Sequence, residues 1–169
     1  MHPALLRLWT SRRGNAATEF ALVLPVIVFM FAAIVEFGRI FQVYNATNLL
    51  ASQYAIALAQ CSSAQVTTCQ TDLAEAATNI APQLTGTLTL NMFTVTNTSG
   101  TLTYTNPYPS GATPTSAQTT AAKNVVIIYG QTGVLVTATY THTLIFITLL
   151  TPYLSKYLTP SYTVVQANS

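Results

Sequence analysis

Residues 20–35 read FALVLPVIVFMFAAIV, an apolar run bounded by Glu19 and Glu36. With the small Ala16 and Ala17 in front of it, the run approaches the roughly 20 residues that a helix needs to cross a bilayer. A secretory signal peptide is the competing reading. Arg7, Arg12 and Arg13 precede the run, and Phe31-Ala32-Ala33 crudely resembles a small-residue cleavage site. Three features count against removal there. No small residue stands three positions before the cut, Glu19 is an acid where a signal peptide gains nothing from one, and the helical period continues past the run.

Beyond Glu36, the apolar residues Phe37, Ile40, Phe41, Tyr44, Ala51, Tyr54, Ala55 and Leu58 recur at three- and four-residue steps, while Gln42, Asn45, Ser52 and Gln53 fall mostly elsewhere. The spacing predicts one helix from about Asn15 to Gln60, about 70 Å long at about 1.5 Å per residue. Only its first half fits a bilayer. The second half projects outward with a stripe to bury, and Pro25 predicts a kink or loosening near Ala21–Pro25. Arginines before the span place the N-terminus in the cytoplasm and the rest of the chain outside it.

The remaining composition describes what that helix carries. Half of the 169 residues are hydrophobic and 6% are charged, against about 25% charged in ordinary soluble domains. From Phe41 onward the charges are Asp72, Glu75, Lys123 and Lys156, so the outer part is formally neutral. With no basic patch, nucleic acid is not an expected partner. The abundance of aliphatic and aromatic residues argues against disorder and for a folded domain whose surface is coated in hydroxyls. Cys61 and Cys69, eight positions apart in a polar stretch, suit a small disulfide loop in an oxidising compartment, with two free thiols as the alternative. Two thiolates without nearby histidines would under-ligate zinc.

Within residues 61–169, Thr71–Leu84 reads as a short amphipathic helix, shortened by Pro82 or ended by Gly86. Period-two spacing from Thr87, a turn at Asn97–Gly100, and Leu102 and Tyr104 beyond it predict a hairpin. Residues 106–122, with three prolines and no aliphatic side chain larger than alanine, read as an exposed loop. Val125–Tyr129 and Val134–Thr143 read as two more strands around Gly130–Gly133, with Val134, Val136, Ala138, Tyr140 and His142 on one face. Leu144–Leu150 is too short to span a bilayer and is either a buried strand or an apolar surface touching the membrane or another subunit. Tyr162, Val164 and Val165 suggest a last strand. The expected fold is α+β: a long N-terminal helix packed against a small antiparallel sheet.

Catalytic chemistry is thinly supplied. His142 is the only histidine after the N-terminal basic segment and Asp72 the only aspartate, so a Ser-His-Asp arrangement would require those two to meet by chance. A lone histidine on an apolar strand face reads as a satisfied, partly buried residue. Neither a phosphate-binding glycine loop nor paired carboxylates nor metal-ligand spacing is present, so neither cofactor nor small-molecule substrate is expected.

The N-terminal residues carry a resemblance. Arg12-Arg13-Gly14, then Asn15-Ala-Ala-Thr-Glu19-Phe20, then Ala-Leu-Val-Leu-Pro25, together with Glu36-Phe-Gly-Arg39, resemble the TadE-like pseudopilins over residues 12–60. In pilin-like proteins a prepilin peptidase cuts after a glycine and leaves a glutamate at the fifth mature position, and Gly14 and Glu19 match that spacing. The resemblance implies a leader at 1–14, a transmembrane helix at 15–36, an extracytoplasmic continuation at 37–60 and a small pilin-like α+β domain at 61–169. It also implies processing between Gly14 and Asn15, and assembly through Glu19 and Phe20. An ionised glutamate in the membrane costs about 3 kcal/mol or more on insertion scales unless paired. The new ammonium of a neighbouring subunit supplies a partner, and the helix dipole a further favourable term. The plainer alternative for Glu19 is a capping acid at the cytoplasmic edge. Glu36 and Arg39, three apart, read as an ion pair where the helix leaves the membrane, contributing a few tenths of a kcal/mol.

The function so implied is a non-enzymatic minor pseudopilin of a Tad (Flp, type IVc) pilus. It would sit single-pass in the bacterial inner membrane, with adhesion and surface colonisation as downstream consequences. Its partners would be other pilins and pseudopilins, the prepilin peptidase and the pilus assembly platform. The runner-up is an unprocessed bitopic scaffold with a partner-binding periplasmic domain. A secreted hydrolase dependent on His142 is the third reading and has the least support.

Overall fold

The computed structural model describes residues 12–80, 86–145 and 151–168. Helix α1 runs unbroken over Arg12–Ala59, about 72 Å at about 1.5 Å per residue, and Pro25 lies inside it without ending it. A polar turn closed by a Cys61–Cys69 disulfide leads into α2 (Val66–Ile80). The α2 helix begins one turn earlier than the first acid suggested, because Val66, Cys69, Leu73 and Ala77 already form its buried side. Residues 81–85, where its end was expected, lie outside the described residues.

Strands β1 (Thr87–Thr98) and β2 (Thr101–Tyr108) form the expected hairpin. Ser99 and Gly100 both take positive φ, the left-handed pair that a two-residue hairpin turn requires. The Asn97 side chain accepts from the Gly100 amide at 3.0 Å and so fixes the turn. One register shift separates Met92↔Tyr108 from Thr94↔Thr105, at Asn106, whose φ is +49°. A one-residue slip exchanges the two faces of a strand. Here it lets Tyr104 pack edge-on against Phe93 while Tyr108 packs against the opposite core.

Two expectations for the following segment are corrected. Residues 106–122 are not one exposed loop: β2 extends to Tyr108, and α3 occupies Ser116–Val125. The helix starts at a capping box in which Thr115 accepts from the Gln118 amide and the Gln118 side chain accepts from the Thr115 amide. Val125–Tyr129 is not a strand. Val125 ends α3, and the Asn97 side-chain amide holds the Val126 and Ile127 carbonyls at 3.0 and 3.1 Å, directing that backbone away from any ladder. Strand β3 (Thr132–Thr141) then pairs with β1 and with β4 (Ser161–Ala167), giving a four-stranded antiparallel sheet in the order β2-β1-β3-β4. Between β3 and β4 the chain makes α4 (Thr151–Leu154) and one 3-10 turn at Ser155–Tyr157. Of the apolar run 144–150, residues 146–150 lie outside the described residues.

The sheet is covered on both faces, so β3 reads as an almost continuous buried stretch rather than an alternating one. On one face Leu90, Met92, Val134, Val136 and Ala138 pack on Leu50, Ala51, Tyr54, Ala55 and Leu58 of α1. On the other, Phe93, Val95 and Leu135 pack on Ala122 and Val126 of the α3 segment. Gln118 is buried there and donates to Thr137 Oγ1 at 2.8 Å, which in turn meets Thr163 Oγ1 at 2.8 Å. The architecture is α+β, as expected: a long N-terminal helix laid against a small antiparallel sheet.

Candidate functional site

Among the described residues, the apolar side chains of the first half of α1 belong to neither core cluster of the domain. From Ala17 to Val35 its side chains are exposed apart from partly covered Ala32 and Ala33, with Phe20 62% and Leu22 77% accessible. So much apolar surface in contact with water is unsustainable, and the stretch has the length and composition of a membrane span. Glu19 is exposed beside Phe20 on this half. Gly14 and Asn15 belong to the first turns of α1. Residues 1–11, which make up most of the expected leader, lie outside the described residues.

Packing begins abruptly at Glu36, which is only 2% accessible. The buried stripe then runs Glu36, Val43, Thr47, Leu50, Tyr54 and Leu58, steps of three, four and seven that hold one helical face. This phase differs from the expected one in its first turns, since Phe37 and Phe41 are 55% and 68% accessible and stand off the stripe. Reading the stripe backwards from Leu58 through Tyr54, Leu50 and Val43 puts Glu36 inside it. The aromatic side chains of Phe37 and Phe41 masked that signal.

Glu36 meets the chain 109 positions later. Its Oε1 accepts from the Ile145 amide at 2.5 Å, and its Oε2 lies 3.9 Å from His142 Nε2. The His142 ring is buried next to Tyr140, and its backbone amide donates to the Leu158 carbonyl at 2.7 Å. Burial lowers the imidazole pKa below its ordinary value, the Arg39 charge lowers it further, and the Glu36 carboxylate opposes both in part. The Tyr140 hydroxyl accepts from the Gly86 amide, and a Cβ at Gly86 would collide with the Thr141 carbonyl, so the chain can pass this corner only as glycine. The histidine expected to be satisfied is not: its Nε2 is buried without a hydrogen-bond partner among the described residues, facing the Glu36 carboxylate at a distance too long for a hydrogen bond. The Ile145 amide on Glu36 Oε1 ties the chain just after β3 to α1, and His142 and Glu36, both buried, offer no solvent-facing acid–base couple.

Beside this tie a groove of about 650 Å³ opens between α1 and the segment leading into β4, lined by Phe37, Ile40, Phe41, Tyr44, Asn45, Tyr157 and Tyr162. The Tyr44 and Tyr162 rings meet edge-on at 6.1 Å. Among the described residues no group of three or more His, Cys, Asp or Glu side chains converges as a metal site would require.

Comparison with known proteins bears on the N-terminal part. The family model described as TadE-like protein matches residues 14–55, which is the span, the Glu36 turn and most of the packed half of α1. The match coincides with the stretch whose motif resembled that family. No curated protein and no solved structure matches the chain.

Proposed function

Proceeding from the TadE-like match over residues 14–55, we propose that the chain is a membrane-anchored minor pseudopilin of a Tad-type (type IVc) pilus, a structural component and not an enzyme. The observation that carries this reading is the division of α1 at Glu36. Below it the helix is bare and apolar; above it the same helix is the spine of a folded domain. A subunit built this way can be held in a bilayer, extracted and stacked through one continuous helix.

In this reading the prepilin peptidase cuts after Gly14, residues 1–14 stay in the cytoplasm as the leader, and the domain is periplasmic. The new ammonium at Asn15 of one subunit pairs with Glu19 of another, offsetting the cost of about 3 kcal/mol or more that an ionised carboxylate carries in the membrane. Phe20 packs beside that pair. Arg39, one turn beyond Glu36, adds a compensating positive charge to the Glu36–His142 pair. Leu49 and Ile56, 58% and 52% accessible on the outer half, continue the subunit-facing side of the helix towards other pilins and the assembly platform.

Intact mass and N-terminal sequencing, with and without the cognate prepilin peptidase, test the proposal. The expected product begins at Asn15 and appears only with the peptidase. A chain that starts at Met1 in both cases points instead to the unprocessed bitopic scaffold. A start beyond Ala33 removes the span and overturns both readings.

A further inference from the structure

The base of the folded domain carries apolar and aromatic side chains that its own core does not use. Ile145 is 57% accessible, Tyr153 81% and Tyr157 54%, and the exposed Phe37 and Phe41 of α1 line one groove with Tyr157. Their height is set by hydrogen bonds. The Ile145 amide is bonded to the Glu36 carboxylate, and the Leu158 carbonyl is bonded to the His142 amide, so both ends of the stretch that carries α4 and the 3-10 turn are held at the level of Glu36.

That level is where the bilayer ends if α1 spans it. From Ala17 to Glu36 the helix rises about 29 Å at about 1.5 Å per residue, close to the roughly 30 Å of a hydrocarbon core. Phe37 and Phe41 then lie within about 8 Å beyond it, where their apolar rings can reach back to the hydrocarbon edge, and the headgroup layer at that depth is the one that amphipathic tyrosines such as Tyr157 prefer. Charge agrees with this placement. The exposed Lys156 sits between Tyr153 and Tyr157, Arg39 is partly exposed nearby, and the acid at this level, Glu36, is buried. A surface of aromatic side chains and cations with its carboxylate withdrawn complements anionic phospholipid headgroups.

We propose that the underside of the domain, formed by Phe37, Phe41, Ile145, Tyr153, Lys156 and Tyr157, is a second membrane contact that seats the domain in the headgroup layer of an anionic bilayer. The foot fixes the tilt and rotation of the domain about its single span, and the groove beside Tyr157 opens directly onto lipid. The proposal rests on the reading of α1 as a span.

Tryptophan probes test it in the full chain reconstituted into vesicles of mixed zwitterionic and anionic phospholipid, in a Trp9→Phe background that removes the native tryptophan. Three single substitutions are compared: Tyr153→Trp at the foot, Phe31→Trp in the span, and Tyr129→Trp, whose parent residue is 73% accessible at the opposite end of the sheet. The Tyr153→Trp probe is expected to be quenched severalfold more than the Tyr129→Trp probe by lipids brominated near the carbonyl end of the chain. Replacing Lys156 with Gln is expected to weaken that quenching most in the anionic vesicles. Quenching at the Phe31 position with none at the Tyr153 position overturns the foot and leaves the span intact. Loss of quenching at the Tyr153 position together with a blue shift that grows with protein-to-lipid ratio overturns it in favour of a second copy covering this face. No quenching at the Phe31 position removes the span and the foot together.

Discussion

The two halves of α1 share a helix and a high apolar content, yet only one of them is part of a core. Between Ala17 and Val35 the apolar side chains point in every direction and, among the described residues, belong to neither core cluster, whereas beyond Glu36 many of them form one stripe that the sheet covers, with Phe37, Phe41, Leu49 and Ile56 left outside it. The lesson is that burial is set by what surrounds a residue: an all-round apolar helix needs an apolar solvent, and an amphipathic one needs a partner. Equivalent truncations should therefore differ sharply. Tyr54 is fully enclosed against the sheet, so Tyr54→Ala is expected to cost the domain about 3–5 kcal/mol, the range for deleting a buried aromatic side chain. Phe29→Ala in the bare half should leave thermal unfolding of the domain in micelles unchanged. Equal losses from both would mean that the first half is also packed within the subunit.

A smaller effect sharpens the boundary between α1 and the rest. The Cys61–Cys69 disulfide closes a loop of eight positions where the chain turns back from α1 into α2. Restricting such a loop in the unfolded chain contributes about 2–3 kcal/mol. Paired Cys61→Ser and Cys69→Ser substitutions are expected to lower the unfolding free energy of the domain by that amount, read from the shift in its denaturation midpoint. They should also open the 61–69 turn to protease before the sheet. Reducing agent should do the same to the native chain and nothing to the double variant.

The bare half of α1 was the most legible region because its signal is a plain count of apolar residues with charged ends. The hairpin was legible for a similar local reason, since Asn97–Gly100 supplies the turn chemistry that its geometry needs. The α3 helix was not. Its sequence, SAQTTAAKNV, contributes only Gln118 and Ala122 to the interior, and the burial of Gln118 depends on Thr137 and Thr163 in strands that follow it. A polar residue buried by distant partners leaves no periodic apolar signal, and three neighbouring prolines pointed towards a loop. The Glu36–His142 contact was hidden for the same reason, because 106 positions separate the pair. Gln118→Ala tests the α3 account. It removes the bond to Thr137 and half of the capping box, for an expected loss of about 1–2 kcal/mol. Gln118→Glu, which keeps the capping acceptor but not the amide donor, should fall between the two in chemical denaturation.

The smallest expected effect concerns the joint between the two halves, and its sign follows from His142. Burial, reinforced by Arg39, holds the folded-state pKa of this imidazole below its ordinary value, with Glu36 opposing in part. A group with a lowered folded pKa binds its proton more readily when unfolded. The stability associated with a neutral His142 is therefore fully present above the unfolded value of about 6.5 and is lost as pH falls from there towards the folded pKa. The titratable and charged groups facing the ring are Glu36 and Arg39 from α1, so a His142→Gln variant removes the titration while leaving those two in place. Thermal melts between pH 7.5 and 5 should show the native domain losing stability on acidification and the variant losing less. The native curve should rise instead if the carboxylate of Glu36 outweighs burial and Arg39 together. In that case Glu36 and His142 would form an ion pair that tightens in acid, and the joint between span and domain would stiffen at the pH where it is here expected to loosen.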